Sequence, residues 1–201
     1  LYDVIITEPS NPWITGVSNL FTREYFAIAK KRLKDDGVFC TWAQMYELSP
    51  RRIKSIYRSF ASVFPHAYAF SADTLSSDTF LVGSRKPLNL DLKRLRRAYA
   101  NKSIAKEMKR GKLETPHDIL AMTLLAPGEI AAYTVGARPN TDDNAIVEFA
   151  APRDLYNHKR FDYYISSIYG QQWLYGRLED FVSGYDNKED FGELIPRLLR
   201  Q

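Results

Sequence analysis

LYDVIITEPSNPW, residues 1–13, holds the reading on which the fold turns. Tyr2 to Thr7 is β-branched and nearly all apolar, the pattern of a strand buried on both faces of a parallel sheet. It runs straight into Glu8, Pro9, Ser10, Asn11, Pro12 and Trp13. Open α/β sheets bind ligands in the crevice at the carboxyl ends of their strands, so a carboxylate at that mouth is placed to act on one. There Glu8 can deprotonate an amine, accept a hydrogen bond from a ribose or hold a metal; equally, it can cap the next helix or face water. Pro9 and Pro12 remove backbone donors and stiffen the turn, which would hold Glu8 and Asn11 in place. Trp13 suits packing between helix and sheet better than a ligand wall.

Working outward, Phe21 to Leu33 carries Phe26, Ala29 and Leu33 at helical spacing, and Asp36-Gly37 is expected to end that helix with a left-handed cap. The run VFCTWA follows as a second strand. Ser49 and Pro50 then open a helix whose apolar face is Ile53, Ile56, Tyr57, Phe60, Val63 and Phe64, and Pro65 stops it. HAYAFSA and TFLVGS read as two strands, antiparallel because the link between them is too short for a crossover. The order strand, helix, strand, helix, strand, strand over residues 1–87 predicts a layered α/β domain with a mostly parallel sheet. Four strands are half of a doubly wound sheet, and the other half is expected before Leu1, in a longer parent protein.

Residues 88–138 read as a mainly helical insertion. Nine basic residues from Lys93 to Lys112 face one acid, Glu107. Leu92, Leu95, Tyr99, Ile104 and Met108 supply an apolar side, so a solvated amphipathic stretch is favoured over a surface for nucleic acid or an anionic membrane. A helix from Thr115-Pro116, with Asp118 placed for a capping box, is expected to run to Leu125 and stop before Pro127-Gly128. Residues 139–157 read as a polar loop and a short strand, IVEF, returning to the α/β domain. The aromatic residues of 158–201 suggest a helical extension.

Composition narrows the classes. With 45% hydrophobic and 26% charged residues and a net charge of +4, the chain is an ordinary globular one. No run approaches a membrane span, and Cys40 has no disulfide partner, which fits a reducing, cytoplasmic setting. His66, His117 and His158 lack metal-ligand spacing, and Asp142-Asp143 lacks the oxygen pattern of a calcium loop, so no metal is expected. There is no P-loop, no Gly-x-Ser-x-Gly and no Gly-x-Gly-x-x-Gly.

Taken together, YDVIITEPSNPW, LFTREYFAIAKKRLKDDGVFC and the Ser-Pro helix ending SVFPHAYAF resemble the C-terminal half of the spermidine and spermine synthase family. The resemblance returns weakly at NTDDNAIVEFAAP. It implies a Rossmann-like fold of the class I S-adenosylmethionine-dependent methyltransferase kind. It also implies an aminopropyl transfer in which an amine attacks the carbon beside a sulfonium and methylthioadenosine leaves. The family's Asp-Ser-Ser-Asp-Pro motif aligns with Glu8, Pro9, Ser10, Asn11 and Pro12. Glu8 would then be the catalytic base, with Asn11, Trp13, Asp142 and Asp143 facing the acceptor, and Thr7, Glu8, Ser10 and Gly16 the donor. The donor implied is decarboxylated S-adenosylmethionine or S-adenosylmethionine itself.

The departures argue against an ordinary polyamine acceptor. Asn11 in place of Asp removes a charge whose attraction for a cationic amine in a partly buried site is roughly 4 kcal/mol. Glu8 shifts the base by a methylene, Pro139 replaces a family Tyr, and Trp42 replaces a family Gln. This version of the motif resembles a synthase-like branch often fused to membrane segments. That implies a soluble domain of an inner-membrane protein, a membrane-embedded N-terminal region in the parent, a small-molecule donor, an amine-like acceptor, no nucleic acid and a homo-oligomer. Two alternatives stay open: a methyltransferase on another substrate, and a catalytically degenerate ligand-sensing or interaction domain. The present chain alone lacks the glycine-rich turn and the ribose-gripping acid of the donor pocket, so by itself it is expected to bind donor weakly and to be inactive.

Overall fold

The computed structural model describes residues 1–71, 76–156 and 182–183. The chain divides into two compact units, residues 1–86 with 124–172, and residues 87–123 with 173–201.

The first unit is built on a five-stranded sheet in the order β1-β2-β4-β3-β6. These strands are β1 (Tyr2–Thr7), β2 (Leu33–Gln44), β3 (His66–Ser71), β4 (Asp78–Ser84) and β6 (Thr123–Leu125). β1 and β2 are parallel, with Thr7 opposite Thr41. β4 is antiparallel to both of its neighbours, β2 and β3. The fold class is therefore α/β, and the β3–β4 hairpin forms as its sequence pattern predicts. Parallel pairing is less extensive than expected, because the hairpin turns back to set β4 between β2 and β3.

β1 departs from the pattern of a strand buried on both faces. Tyr2, Val4 and Ile6 are 60%, 55% and 75% exposed. Its one pairing partner among the described residues is β2, so it is an edge strand.

On one face of the sheet pack α1 (Arg23–Lys31) and α2 (Pro50–Ala61), with α6 (Pro127–Tyr133) and α7 (Ile146–Asp154) against α2. The core is aromatic: Phe26, Phe39, Phe60 and Phe64 interlock, with Phe39 and Phe64 stacked at 5.6 Å and Phe26 edge-on to Phe60 at 5.1 Å. Such pairs add about 0.5–1.5 kcal/mol each beyond their buried area. α2 buries Ile53, Ile56, Tyr57 and Phe60, as its spacing predicts.

Two glycines matter by close approach. A Cβ on Gly37 would lie 2.8 Å from the Tyr2 carbonyl oxygen, and one on Gly83 would lie 2.4 Å from Phe64 Cγ. Gly37 is thus no helix cap. α1 ends at Lys31, and Gly37 lies inside β2, where β1 passes too near for any side chain.

Three further boundaries differ from the sequence reading. The helix begun by the Thr115–Asp118 capping box, α5 (Pro116–Ala121), stops short of Leu125, because Thr123–Leu125 joins the sheet as β6. Pro127 does not terminate a helix but starts α6, where the Glu129 carboxylate accepts the Ala126 N–H at 2.8 Å. IVEF opens helix α7 in place of a strand. Val147, Ala150 and Ala151 are buried at helical spacing, so tertiary packing overrides the β preference of Ile146 and Val147.

In the second unit, α3 (Leu92–Ala100) and α4 (Lys102–Arg110) carry the basic run, broken where the Asn101 side chain caps α4. A short parallel pair, β5 (Leu90–Asp91) with β7 (Val182–Ser183), accompanies them. The helices expected in 158–201 lie outside the described residues, where Val182–Ser183 alone is placed, and as strand. Among the described residues no helix is long and apolar enough to cross a membrane.

Gly83→Ala drives a methyl group into the Phe60–Phe64 pair and is expected to destabilise the first unit by about 1–3 kcal/mol, the usual cost of overpacking. Urea denaturation of the full-length protein checks this; an unchanged midpoint contradicts it.

Candidate active site

Because β1 and β2 are parallel, their carboxyl ends lie at one edge, but β2 continues past Thr41 for three more residues to Gln44. That overhang forms a wall beside the loop that follows β1. Antiparallel β4 supports it, with Gln44 opposite Asp78. The Trp42 indole N–H donates to Asp78 Oδ1 at 3.0 Å.

Tyr46 links wall and loop. Its phenol donates to Asn11 Oδ1 at 3.3 Å, and its ring lies 6.1 Å from that of Trp13 and 6.4 Å from that of Trp42. Burial, followed by the charges of Asp78 and Glu47, raises the Tyr46 hydroxyl above its ordinary pKa, so it stays a neutral donor. With its oxygen engaged, the Asn11 amide has N–H groups left to offer. Asn11 also turns the chain, its carbonyl accepting the Ile14 N–H at 3.0 Å.

Of the other residues singled out in the sequence, Thr7 is half-buried in the β1–β2 ladder, and Glu8 and Ser10 are exposed on either side of buried Pro9. The Glu8 carboxylate makes no hydrogen bond among the described residues. Gly16 turns the loop with φ +84°. Asp142 and Asp143 are exposed on the loop before α7, where the Asp142 N–H donates to Glu24 Oε2 at 3.0 Å. Asn11 and Trp13 are thus brought together through Tyr46, while the ties of the Asp142 loop run to α1.

That loop and α7 anchor the crevice in a way the sequence did not reveal. Glu148 accepts the Gly16 N–H at 3.1 Å and the Ser18 hydroxyl at 2.5 Å. Six residues on, Asp154 accepts both the Ser49 N–H at 2.9 Å and the Ser49 hydroxyl at 2.6 Å. One helix therefore holds the loop after β1 and the loop after β2. Asn140, fully buried, secures the helix start: its Oδ1 accepts the Val147 N–H at 3.1 Å, and its Nδ2 donates to Ser18 and Phe21 carbonyls.

Gln44 also escaped the sequence reading, which noticed Trp42 two residues earlier on the same strand. It is 2% exposed, and neither its amide oxygen nor its amide nitrogen has a hydrogen-bond partner among the described residues. An unmatched buried polar group costs about 1–3 kcal/mol, so a side chain carrying two of them is better suited to a bound molecule than to a core.

The strand ends of this α/β sheet thus bring together a carboxylate, an amide and aromatic side chains, at the edge where open α/β sheets bind small molecules. Residues 1–86 match the family model described as the spermine/spermidine synthase domain. The resemblance read from the motifs is thus shown over that segment. The chain is 33% identical over 89 residues to a polyamine aminopropyltransferase of Bacillus subtilis (strain 168), across 42% of this chain and 32% of that protein. It is 29% identical over 102 residues to one of Pyrococcus abyssi (strain GE5 / Orsay), across 48% and 36% respectively. The chain spans about a third of the length of these curated relatives. Among solved structures, a probable spermidine synthase from Corynebacterium glutamicum ATCC 13032 superposes with a TM-score of 0.47 at 19% identity, over 70% of this chain and 47% of the other. The α/β layering agrees with the class I methyltransferase-like architecture that the family resemblance implies.

Glu148→Ala is expected to lower stability by about 1–3 kcal/mol, because it strands the Gly16 N–H and the Ser18 hydroxyl. In a double-mutant cycle on the full-length protein, Ser18→Ala and Glu148→Ala should couple by at least about 0.5 kcal/mol. Strict additivity would show that the two do not interact.

Proposed function

We propose that this chain is part of a spermidine synthase-like transferase that uses an S-adenosyl-type donor and an acceptor other than an ordinary polyamine. The observation that carries the reading is the loop TEPSNPW. It falls inside the segment matched by the family model and leaves the strand end with Glu8 unpartnered and Asn11 bound to Tyr46.

Glu8 is the group we assign as base. An exposed carboxylate with no internal partner is available to take the proton of an attacking nucleophile, a role that typically contributes 10²–10⁴-fold to rate. Asn11 supports the choice of acceptor. Its oxygen takes the Tyr46 hydroxyl, which leaves its N–H groups as the donors we assign to the acceptor, and donors repel an ammonium while they suit a carbonyl or carboxylate. Gln44 adds one donor and one acceptor from the neighbouring strand. An acceptor carrying both an amine and an oxygen acceptor would satisfy this set better than a plain diamine. Asp142 and Asp143 are the remaining groups we place towards the acceptor; Thr7, Ser10 and Gly16 are the ones we place towards the donor.

Methyl transfer is the second reading, since the same donor class serves both reactions and Asn11 has lost the charge that a polyamine would need. The products separate them. Aminopropyl transfer releases methylthioadenosine, and methyl transfer releases S-adenosylhomocysteine.

In the full-length protein, Glu8→Gln is expected to lower turnover at least about 100-fold with the fold intact. Unchanged turnover rejects Glu8 as base. Asn11→Asp should tighten the binding of a cationic diamine, measured by calorimetry, by about tenfold or more, since an ion pair replaces a neutral contact. No gain would mean that Asn11 does not face the acceptor.

A further inference from the structure

A groove of about 440 Å³ runs along α1 in the first unit, lined among others by Arg23, Glu24, Lys30, Lys31, Val63 and Arg85. Four cations meet one acid there, and the acid is already engaged. Glu24 holds Arg23 at 2.9 Å, and its other oxygen takes the Asp142 N–H. Lys30, Lys31 and Arg85 are left with no carboxylate partner among the described residues.

Their internal bonds are to neutral groups. Lys30 Nζ donates to the Val63 carbonyl at 2.6 Å, and Arg85 Nη2 donates to the Lys30 carbonyl at 2.8 Å. Arg85 Nε is buried and has no hydrogen-bond partner among the described residues. The Lys30 ammonium is pushed below its ordinary pKa by burial and then by the Arg85 charge, as expected where positive charges crowd without an anion. In a second basic groove, beside α2, two of the cations have partners: Arg52 lies 3.8 Å from Asp154, and Lys54 sits 4.8 Å over the Tyr133 ring.

We propose that the α1 groove is a binding site for a phosphate group, as a dianionic phosphomonoester or pyrophosphate. Each lysine ammonium has three hydrogens, so Lys30 retains two after its bond to Val63, and Lys31 retains all three. Arg85 adds its free Nε–H from a planar fork that suits phosphate oxygens. A dianion with several acceptor oxygens uses these donors and neutralises most of the three charges; a single carboxylate would leave two. The volume lies within the range of small-molecule pockets.

The test is calorimetric titration of the full-length protein with inorganic phosphate and with pyrophosphate at constant ionic strength. A parallel sedimentation assay would use phosphatidic acid vesicles against neutral phosphatidylcholine vesicles. Saturable binding of the soluble anions, weakened at least tenfold by Arg85→Gln and by Lys31→Gln but unchanged by Lys102→Gln, supports the site and assigns it to a soluble ligand. Vesicle binding with the same dependence, without soluble binding, supports the site and assigns it to a lipid headgroup. Lys31 is exposed, so its variant keeps the test valid if Arg85→Gln fails to fold. Absence of binding in both assays, or binding that neither variant weakens, overturns the proposal.

Discussion

Asn140 is fully buried, and every polar group it brings into the interior has to be matched. Its backbone N–H donates to the Ser59 hydroxyl on α2, its carbonyl accepts the Arg23 N–H at the start of α1, and its side chain spans Ser18, Phe21 and Val147. Two segments distant in sequence, residues 18–23 and α2, are thereby fixed relative to the start of α7 through this one residue. A sheet supplies strand ends, but it does not say where the chain goes after them. In this molecule that is decided by Asn140 and by the two carboxylates of α7.

The chemistry of the crevice depends on this framework. The loop after β1 can present Glu8 to solvent because its own hydrogen bonds are satisfied elsewhere, at Gly16 by Glu148 and at Asn11 by Tyr46. Asn11 accepts the Tyr46 hydroxyl through its amide oxygen, so the side chain that stands at the strand end also ties its loop to the turn after β2.

What was legible in the sequence was local. The face of α2, the β3–β4 hairpin and the position of Glu8 and Asn11 at a strand end follow from spacing and turn chemistry within a dozen residues. What was not legible depends on partners far along the chain. Gly37 looks like a helix cap until the Tyr2 carbonyl is seen against it. IVEF has the composition of a strand, yet Asn140 takes the Val147 N–H and the alanines behind it are buried, so a helix forms. Tyr46, Gln44, Glu148 and Asp154 fit no short motif. Their significance comes from an unmatched amide or from bonds spanning 35 to 132 residues.

Glu148 and Asp154 stand six positions apart on α7, about 9 Å along a helix that carries Pro152 within it. Each end grips a different loop, so the loops after β1 and β2, separated in the chain by α1 and a whole strand, hang from one short element that the chain reaches only about a hundred residues later.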